Sequence, residues 1–384
     1  MVDLVTPARS HHHEVFSCTP LKRLIPEFSS ARSGASVYNM ATDTTRFRYG
    51  IAFTVAALCF ALIGIDGGGA TSGETSGPTF SQVDQKENSG WKVIAYGDTR
   101  FTDPSNVLAV NPKVRRWLVQ KIADENPDAI LLSGDLPYTG AEANDYTVFR
   151  DETKVWRDHQ IHFYPALGNH ELKGGDTLGL ANWWKAFPEL NGRRWYSVAY
   201  RNAYFIFLDT DAPLTNGSEQ RSWSDQQIAH LPAETRFVFV VQHHPPIADL
   251  PMDPGHTPQA NEVEFAHHLE VQAATLPVHF IVVAGHIHNY ERFTEQGVDF
   301  LISGGGGARP HPVPRGREDF YKDSSFPNYH YVKFAFDGKV VRASMVRLTD
   351  SEADKPRWET KDSFTVAPQI SRTVVAGTAP RSMR

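Results

Sequence analysis

A carboxylate and a phenol follow one apolar segment of the chain and could bind metal ions together. The run Ala129–Leu132 leads into the sequence SGDLPY at residues 133–138. Pro137 has no backbone N–H group and disfavours helical geometry before it, so we expect a buried strand to end here and a loop to present Asp135 and Tyr138. A carboxylate can bridge two cations, and a phenol with a pKa of about 10 binds as an anion only beside a strong Lewis acid. The pair therefore indicates a metal centre at the carboxyl end of a strand.

Four other apolar segments lead into side chains of the same chemical kind. These side chains are Asp98, Asn169 with His170, His243 with His244, and His286 with His288. A single histidine after a strand is more often structural than a ligand, but so many coincident strand ends are hard to explain by packing. Together they offer enough oxygen and nitrogen donors for two metals, with Asp135 as the bridge. Two cations about 3.5–4 Å apart can hold the attacking and departing oxygens of an in-line displacement, which is the chemistry of phosphoester hydrolysis.

The composition excludes several other functions. The chain has 384 residues and a formal net charge of -6, which argues against nucleic acid as a partner. Its two cysteines, Cys18 and Cys59, precede the globular part, so metal ligands there must be nitrogen or oxygen, which suit Fe, Mn, Zn or Mg. Neither a Gly-x-x-x-x-Gly-Lys-Ser/Thr loop nor a Gly-x-Ser-x-Gly motif occurs. A nucleotide-driven motor and a serine hydrolase therefore have no support.

The elements that must position these residues alternate between strands and helices. Lys92–Tyr96 is a short apolar strand, and Asn111-Pro112 begins a helical pattern that ends at Asn126-Pro127. A strand, a helix and a second strand form a βαβ unit. Since its strands are parallel, Asp98 and Asp135 should lie at the same edge of the sheet.

Strand pairs become common further along the chain. Strands are predicted over His162–Leu167, twice within Trp195–Asp209, and over Arg236–Gln242, Val278–Ala284 and Val298–Ser303, with two more within Tyr329–Leu348 and helices over residues 178–187 and 258–275. Helix-linked strands followed by strand pairs predict an α/β sandwich of two sheets flanked by helices, in one domain over residues 91–350.

The ends of the chain are predicted to lie outside this domain. Residues 1–39 are interpreted as an upstream extension or misannotated start, and residues 40–70 as a signal peptide or signal anchor. The apolar run 51–65 follows basic residues but is short for a membrane span. Residues 71–90 are predicted to be a linker, and residues 351–384 a polar tail. We therefore expect an exported protein, either secreted or periplasmic, or tethered outside a membrane.

The order of the motifs resembles that of a known enzyme family. GDTR, GDLPY, GNHE, QHHPP and GHIHNYER, between Gly97 and Arg292, resemble the motifs of calcineurin-like metallophosphoesterases. GDLPY and GHIHNYER are similar to those of the purple acid phosphatase branch. The resemblance implies a four-layer α/β/β/α sandwich of two mixed sheets, the metallo-dependent phosphatase-like fold. It also implies hydrolysis of phosphomonoesters by attack of a metal-bridging hydroxide on phosphorus. Alternatives are a phosphodiesterase or pyrophosphatase at the same site and a non-catalytic metal-binding envelope protein.

The same resemblance implies a set of ligands for two metals. The first metal would be held by Asp98, Asp135, Tyr138 and His288, and the second by Asp135, Asn169, His243 and His286. Where the wider family has a histidine ligand in its first motif, this chain has Arg100, which stays protonated and cannot bind a metal. Tyr138 can fill that position. Exchange of an imidazole for a phenolate favours Fe(III) in the first site, with Fe, Zn or Mn in the second.

Other residues are expected to act on a small phosphoester substrate. His170 is predicted to be a general acid or a phosphate contact, or alternatively to orient the bridging water; an ordinary histidine pKa near 6.5 suits the first two roles. His244 would contact the substrate or support His243, which has the His-x-Pro spacing of the family. Arg100 could clamp a phosphate oxygen or pair with an acid at the surface.

Overall fold

Two β-sheets run through the part of the chain that the structure describes. The computed structural model describes residues 79–81, 90–249 and 254–368. Its strands are β1 (Thr79–Ser81), β2 (Trp91–Tyr96), β3 (Ala129–Leu132), β4 (His162–Pro165), β5 (Tyr196–Tyr200), β6 (Ala203–Phe207), β7 (Phe237–Val241), β8 (His279–Ala284), β9 (Tyr290–Glu295), β10 (Val298–Ser303), β11 (His330–Phe336), β12 (Val341–Leu348) and β13 (Trp358–Val366). Its α-helices are α1 (Pro112–Glu125), α2 (Ala143–Glu152), α3 (Lys154–Asp158), α4 (Asn169–Leu172), α5 (Asp176–Ala186), α6 (Glu219–Ala229) and α7 (Ala260–Thr275).

Both sheets are mixed, as the motif resemblance implied. One sheet has the strand order β1-β5-β6-β7-β8-β10-β9, and the other has the order β13-β12-β11-β2-β3-β4. In the second sheet β2, β3 and β4 are parallel, whereas β11, β12 and β13 pair antiparallel. The predicted α/β class with two mixed sheets is confirmed. The parallel pairing of β2 with β3 also places Asp98 and Asp135 at the same sheet edge.

Alternate residues of the seven-stranded sheet belong to two different cores. Phe239 faces the other sheet, where its ring packs edge-on against Phe334 at a centroid distance of 5.1 Å. The next residue, Val240, packs in the core formed with Trp223 of α6 and Phe265 of α7. Because both faces are covered, these strands are continuously apolar in sequence rather than alternating.

Helix α1 begins where the sequence predicted and covers the six-stranded sheet. The side chain of Asn111 accepts a hydrogen bond from the backbone N–H of Val114 at 3.1 Å, and Pro112 is the first helical residue. Such a cap contributes about 1 kcal/mol. Leu118 and Ile122, one helical turn apart, are completely buried. This helix is the crossover that keeps β2 and β3 parallel.

The domain extends past two predicted boundaries. Trp358–Val366 was predicted to belong to a polar tail, but it forms β13 and pairs antiparallel with β12. Only Val366 of this edge strand is buried, which is why its sequence is polar. At the other end Thr79–Ser81, within the predicted linker, pairs in parallel with β5.

The predictions for export concern residues that the structure does not describe. The extension 1–39 and the signal or anchor 40–70, including the apolar run 51–65, lie outside the described residues. Among the helices that are described, none combines the length and the apolar character needed to cross a membrane. Export and a membrane tether therefore stay predictions.

Candidate metal centre

The predicted strand ends meet at one place. Asp98 follows β2, Asp135 follows β3, Asn169 begins α4 after β4, His243 follows β7, and His286 and His288 follow β8. Residues far apart in the sequence converge here: Asp98 lies within 3.5 Å of the backbone of His286 and of the ring of His288, and Asn169 lies within 3.5 Å of His243. The residues that were predicted from five separate motifs therefore form a single cluster in the fold.

Two buried polar atoms in this cluster face each other without a hydrogen bond. Oδ1 of Asp98 lies 3.4 Å from Nε2 of His288, and within the described part of the chain neither atom has a hydrogen-bond partner. Asp135 completes the group, with one ligand atom of each residue within 4.8 Å of the others. Buried polar atoms without partners are unfavourable. A cation among these three residues would satisfy them, so the donors present fit a metal site.

The backbone sets the tautomer of the three candidate histidine ligands. Nδ1 of His243 lies 2.9 Å from the carbonyl oxygen of Ser133, Nδ1 of His288 lies 2.6 Å from that of Arg309, and Nε2 of His286 lies 2.8 Å from that of Gly255. A carbonyl only accepts, so each of these nitrogens carries the hydrogen. In the neutral imidazole the other nitrogen then has the free lone pair that metal ligation requires.

The free nitrogens of the second group point at one another. Nε2 of His243 lies 3.3 Å from Nδ1 of His286, 3.1 Å from Oδ1 of Asn169 and 3.2 Å from Oδ1 of Asp135. With the tautomers set by the backbone, all four atoms are acceptors. Four converging acceptors repel one another unless a cation or a proton lies among them. This second set of donors also fits a metal ion.

The protonation of the histidines suits this role. Burial, reinforced by the nearby His243, lowers the pKa of His286 to about 3. Burial and the charge of Arg100 lower the pKa of His288 to about 3 as well. Both rings are therefore neutral at physiological pH, as metal ligands must be.

Two adjacent buried carboxylates have pKa values shifted in opposite directions. Burial raises the pKa of Asp98 to about 7, and the charge of Asp135 adds to the rise. Burial also opposes ionisation of Asp135, but electrostatic interactions with His243, His170 and Arg100 hold its pKa well below the usual range. Asp135 is thus the permanently charged member of the pair.

Four residues of the site have left-handed backbone conformations. The φ angles are 59° at Asp98, 45° at Arg100, 56° at Asp135 and 70° at His286. Non-glycine residues rarely adopt this region, and such strain is typical of functional sites. Close approach adds a second constraint, since a Cβ atom at Gly168 would lie only 2.6 Å from Oδ1 of Asp135.

Comparison with known proteins identifies the fold and its family. The model of the calcineurin-like phosphoesterase family matches residues 101–290. The chain contains a calcineurin-like phosphoesterase domain. The resemblance drawn from the motifs is confirmed, and the family implies divalent metal ions and small phosphoester substrates. Sequence comparison with curated proteins gives no match.

Solved structures share the fold of this phosphoesterase domain. Purple acid phosphatase PPD1 from yellow lupin (Lupinus luteus) seeds has a TM-score of 0.56 at 19% identity, over 73% of this chain and 54% of the lupin chain. GAP50, the anchor in the inner membrane complex of Plasmodium, has a TM-score of 0.52 at 14% identity, over 74% and 90% of the two chains. PhoD has a TM-score of 0.53 at 10% identity, over 73% and 70%. At these identities the likeness shows the fold alone, and this chain spans about half the length of the lupin protein.

Arg100 of the phosphoesterase domain pairs with the predicted bridging residue. Its Nη2 lies 3.4 Å from Oδ2 of Asp135. Of the two roles left open by the sequence, an ion pair is present, but with a buried acid of the site rather than at the surface. A role in phosphate binding stays a prediction.

His170 also lies beside Asp135. Its Nδ1 donates to the backbone carbonyl of Tyr138 at 2.6 Å, and its Nε2 lies 3.8 Å from Oδ2 of Asp135. Burial lowers the pKa of His170 to about 4, below the ordinary value near 6.5 on which the sequence-based assignment rested. Above about pH 4 the ring is neutral, and its service as a proton donor is confined to acidic solution.

Tyr138 and His244 occupy the two flanks of the site. The ring of Tyr138 lies 5.5 Å from that of His170, and the ammonium group of Lys173 lies 3.6 Å from the tyrosine ring centre. His244 shares a hydrogen bond of 2.7 Å with the hydroxyl of Thr210, and one of its ring nitrogens lies within 4.8 Å of nitrogens of His243 and His286. Metal binding by Tyr138 and substrate binding by His244 stay predictions.

Two histidines join the site without having been assigned from sequence. The ring of His311 stacks on that of His288 at 4.0 Å, and His256 lies 4.6 Å from His311 and 4.9 Å from His286. His311 does not directly follow a strand end. The glycine run at residues 304–307 indicates that backbone segments approach each other closely just before His311, and this signal could have pointed to it.

Glu171 was also missed, although it belongs to the GNHE motif. Its carboxylate is completely buried and accepts hydrogen bonds from the backbone N–H groups of Asp135 (3.0 Å), Leu136 (2.8 Å) and Gly168 (2.7 Å). These contacts hold the loop of Asp135 against the loop of Asn169. Glu171 is therefore a positioning residue for the bridging aspartate.

Replacing Glu171 by alanine is expected to lower the free energy of unfolding by about 3 kcal/mol, because three buried N–H groups lose their acceptor. Glu171→Gln keeps one acceptor oxygen and should cost less. Urea unfolding measures both, with Glu142→Ala as the control because Glu142 is exposed and makes no capping hydrogen bond. A loss below about 1 kcal/mol for Glu171→Ala would contradict the positioning role.

Proposed function

We propose that this domain is an exported, acid phosphatase-like enzyme that hydrolyses phosphomonoesters at a binuclear metal centre. The observation that carries the proposal is the orientation of His243, His286 and His288. The backbone engages one nitrogen of each ring. The free nitrogen of His288 faces Asp98, that of His243 faces Asp135, and that of His286 faces His243. Two neighbouring groups of buried donors thus fit two ions with one shared aspartate.

The proposed ligand sets follow this geometry. Asp98, Asp135, Tyr138 and His288 would hold the first ion, and Asp135, Asn169, His243 and His286 the second. Oδ1 of Asp135 faces His243, whereas Oδ2 faces Arg100 and His170, so its two oxygens are directed to different sides of the site. When bound, the two ions would supply Lewis acidity and lower the pKa of a shared water.

Arg100 and His170 are proposed to bind the phosphate. Both approach the same oxygen of Asp135, at 3.4 Å and 3.8 Å, so a phosphate entering from that side would meet a guanidinium and an imidazole together. A guanidinium can donate two hydrogen bonds to one phosphate group. His244 is proposed to contact the substrate on the opposite flank, beside His286.

Hydrolysis of a chromogenic phosphomonoester and of the matching diester, each with and without a chelator, tests the reaction. We expect faster turnover of the monoester and loss of both activities on chelation. Faster hydrolysis of the diester would contradict the proposed monoesterase activity and indicate that the enzyme is a phosphodiesterase. A metal-loaded protein that cleaves neither ester would overturn the enzyme proposal and favour a non-catalytic role such as that of an anchor.

The Tyr138→Phe variant tests the proposed Fe(III) site, with Fe, Zn or Mn in the second position. A phenolate bound to Fe(III) absorbs visible light, so the purified protein should be coloured, and the variant should lose the band and about 10- to 100-fold of its activity. Elemental analysis accompanies the spectra. Tyr164→Phe is the control because Tyr164 lies in β4, where its ring packs against that of Phe207. An iron-loaded protein without such a band would count against Tyr138 as a ligand.

A further inference from the structure

Three buried carboxylates lie together outside the proposed ligand sets. Asp249, Glu291 and Asp319 each place one oxygen within 4.8 Å of the others. Their exposed fractions are 8%, 0% and 0%. Asp249 follows the segment of His243, and Glu291 lies in β9 just after His288. We call these three residues the carboxylate cluster.

Backbone groups hold each member of the carboxylate cluster in place. The N–H of Asp249 donates to Oε2 of Glu291 at 2.6 Å, and the N–H of Gly316 donates to Oδ2 of Asp249 at 2.5 Å. Oδ1 of Asp319 accepts from the N–H groups of Arg292 (3.0 Å) and Tyr321 (2.8 Å). The contact with Gly316 admits no side chain, since a Cβ atom there would lie 2.0 Å from Oδ1 of Asp249.

One oxygen of the carboxylate cluster has no partner among the described residues. This atom is Oε1 of Glu291, which is buried and accepts no hydrogen bond from them. Its residue is completely buried and shares the cluster with two other carboxylates. This observation is independent of the mere presence of acids, because a buried carboxylate oxygen that lacks a donor is unfavourable.

The charges of the carboxylate cluster are only partly compensated. Nη1 of Arg315 lies 3.1 Å from Oδ2 of Asp319, and this guanidinium also donates to the carbonyl of Tyr290 and the side chain of Asn289. The side chain of Arg292 is paired instead with Asp362 at 2.7 Å. One guanidinium against three carboxylates leaves two negative charges, which is the charge that one divalent cation neutralises. Buried charge without compensation is strongly unfavourable.

A proton on Glu291 is the competing explanation. Burial, together with the charges of Asp319 and Asp249, raises the pKa of Glu291 to about 8, although the N–H of Asp249 opposes the rise. A proton compensates one of the two excess charges. A divalent cation compensates both and gives Oε1 of Glu291 a partner.

We propose that Asp249, Glu291 and Asp319 bind a hard divalent cation of the calcium type, separate from the catalytic centre. A ligand set of carboxylates alone suits Ca²⁺, which takes six to eight oxygens, and backbone carbonyls and water would complete its shell. The ion would join the segment after His243, strand β9 after His288 and the segment around Asp319. It would therefore stabilise the two segments that carry histidine ligands.

Calcium binding to an Asp135→Asn protein, in which the proposed catalytic centre is weakened, tests this site by comparison with the same protein carrying Glu291→Gln. Equilibrium dialysis with Ca²⁺ at pH 8.5, above the pKa of Glu291, should give one calcium per chain, and saturating calcium should raise Tm by about 5 °C. Adding Glu291→Gln should abolish both effects. Without calcium the Glu291→Gln protein should be at least as stable as its parent, because an uncompensated charge is removed.

Glu318→Gln is the matched control. It makes the same substitution at the residue next to Asp319 in the sequence, and the side chain of Glu318 is 77% exposed. It should keep the bound calcium and the Tm shift. The proposal is overturned if the Asp135→Asn protein binds no calcium, or if calcium binding survives Glu291→Gln. Should Glu291→Gln not fold, Asp249→Asn serves the same purpose. No readout involves activity, so failure here is distinct from failure of the proposed function.

Discussion

Replacing Asp135 by asparagine is expected to lower kcat/KM for a phosphomonoester by about 1,000-fold. The carboxylate is completely buried, its two oxygens face different partners, and its pKa is held well below the usual range. An amide is uncharged and offers one oxygen, so it cannot bridge two cations. Loss of the Lewis acid contribution at one ion amounts to about 4 kcal/mol in the transition state, which corresponds to the expected factor.

The measurement combines steady-state kinetics with metal content. The Asp135→Asn protein should fold, because the hydrogen bond from the N–H of His170 can still be accepted by the amide oxygen. Its metal content should fall below two ions per chain. Asp158→Asn is the control, since Asp158 is half-exposed and pairs with Lys154 on the surface. Retention of more than about a tenth of the activity with both metals bound would refute the bridging role.

Replacing His243 by alanine should be far more damaging than replacing its neighbour His244. We expect a loss of about 1,000-fold in kcat/KM for His243→Ala, with loss of the second metal, because Nε2 of His243 lies within 3.3 Å of three other proposed ligands. His244 engages the hydroxyl of Thr210 instead, and His244→Ala should cost about 10-fold with both metals retained.

The two alanine variants are controls for each other, because they remove the same side chain from adjacent positions. Kinetics with elemental analysis distinguishes the outcomes. If His244→Ala lost the metal and His243→Ala kept it, the assignment made from the His-x-Pro spacing would be reversed. Equal losses would indicate that both imidazoles bind the second ion.

Much of the fold could be predicted because its signals are local. The apolar runs of β2 and β3 stand out because both faces of these strands are covered, and Asn111-Pro112 begins α1 as its capping chemistry requires. Strand β13 was missed because it lies at a sheet edge with eight of its nine residues at least partly exposed, so its sequence lacks an apolar run. Strand β9 was not predicted, because it is recognised only through its pairing with β10.

For the candidate site, the donor residues could be predicted from the sequence, but their supporting contacts and their electrostatic environment could not. The types of the donors, and their places after strand ends, were evident because glycine, proline and apolar runs mark those ends in the sequence. The contribution of Glu171 was not, since the groups that donate to its carboxylate are backbone N–H groups of a loop 35 and 36 residues away. The shifted pKa of His170 was also beyond the sequence, because burial is its main cause.

By itself the sequence determined the chemistry that is possible here: nitrogen and oxygen donors, no thiolate in the described domain, and parallel strands that bring Asp98 and Asp135 to one edge. Only the tertiary structure decided which nitrogen of each histidine carries a lone pair into the site, because that depends on carbonyl groups of distant segments. It also decided that Asp249 and Glu291, 42 residues apart, share a buried cluster. Local pattern specifies which groups a chain offers, and long-range packing specifies which of them meet and in what electrostatic environment.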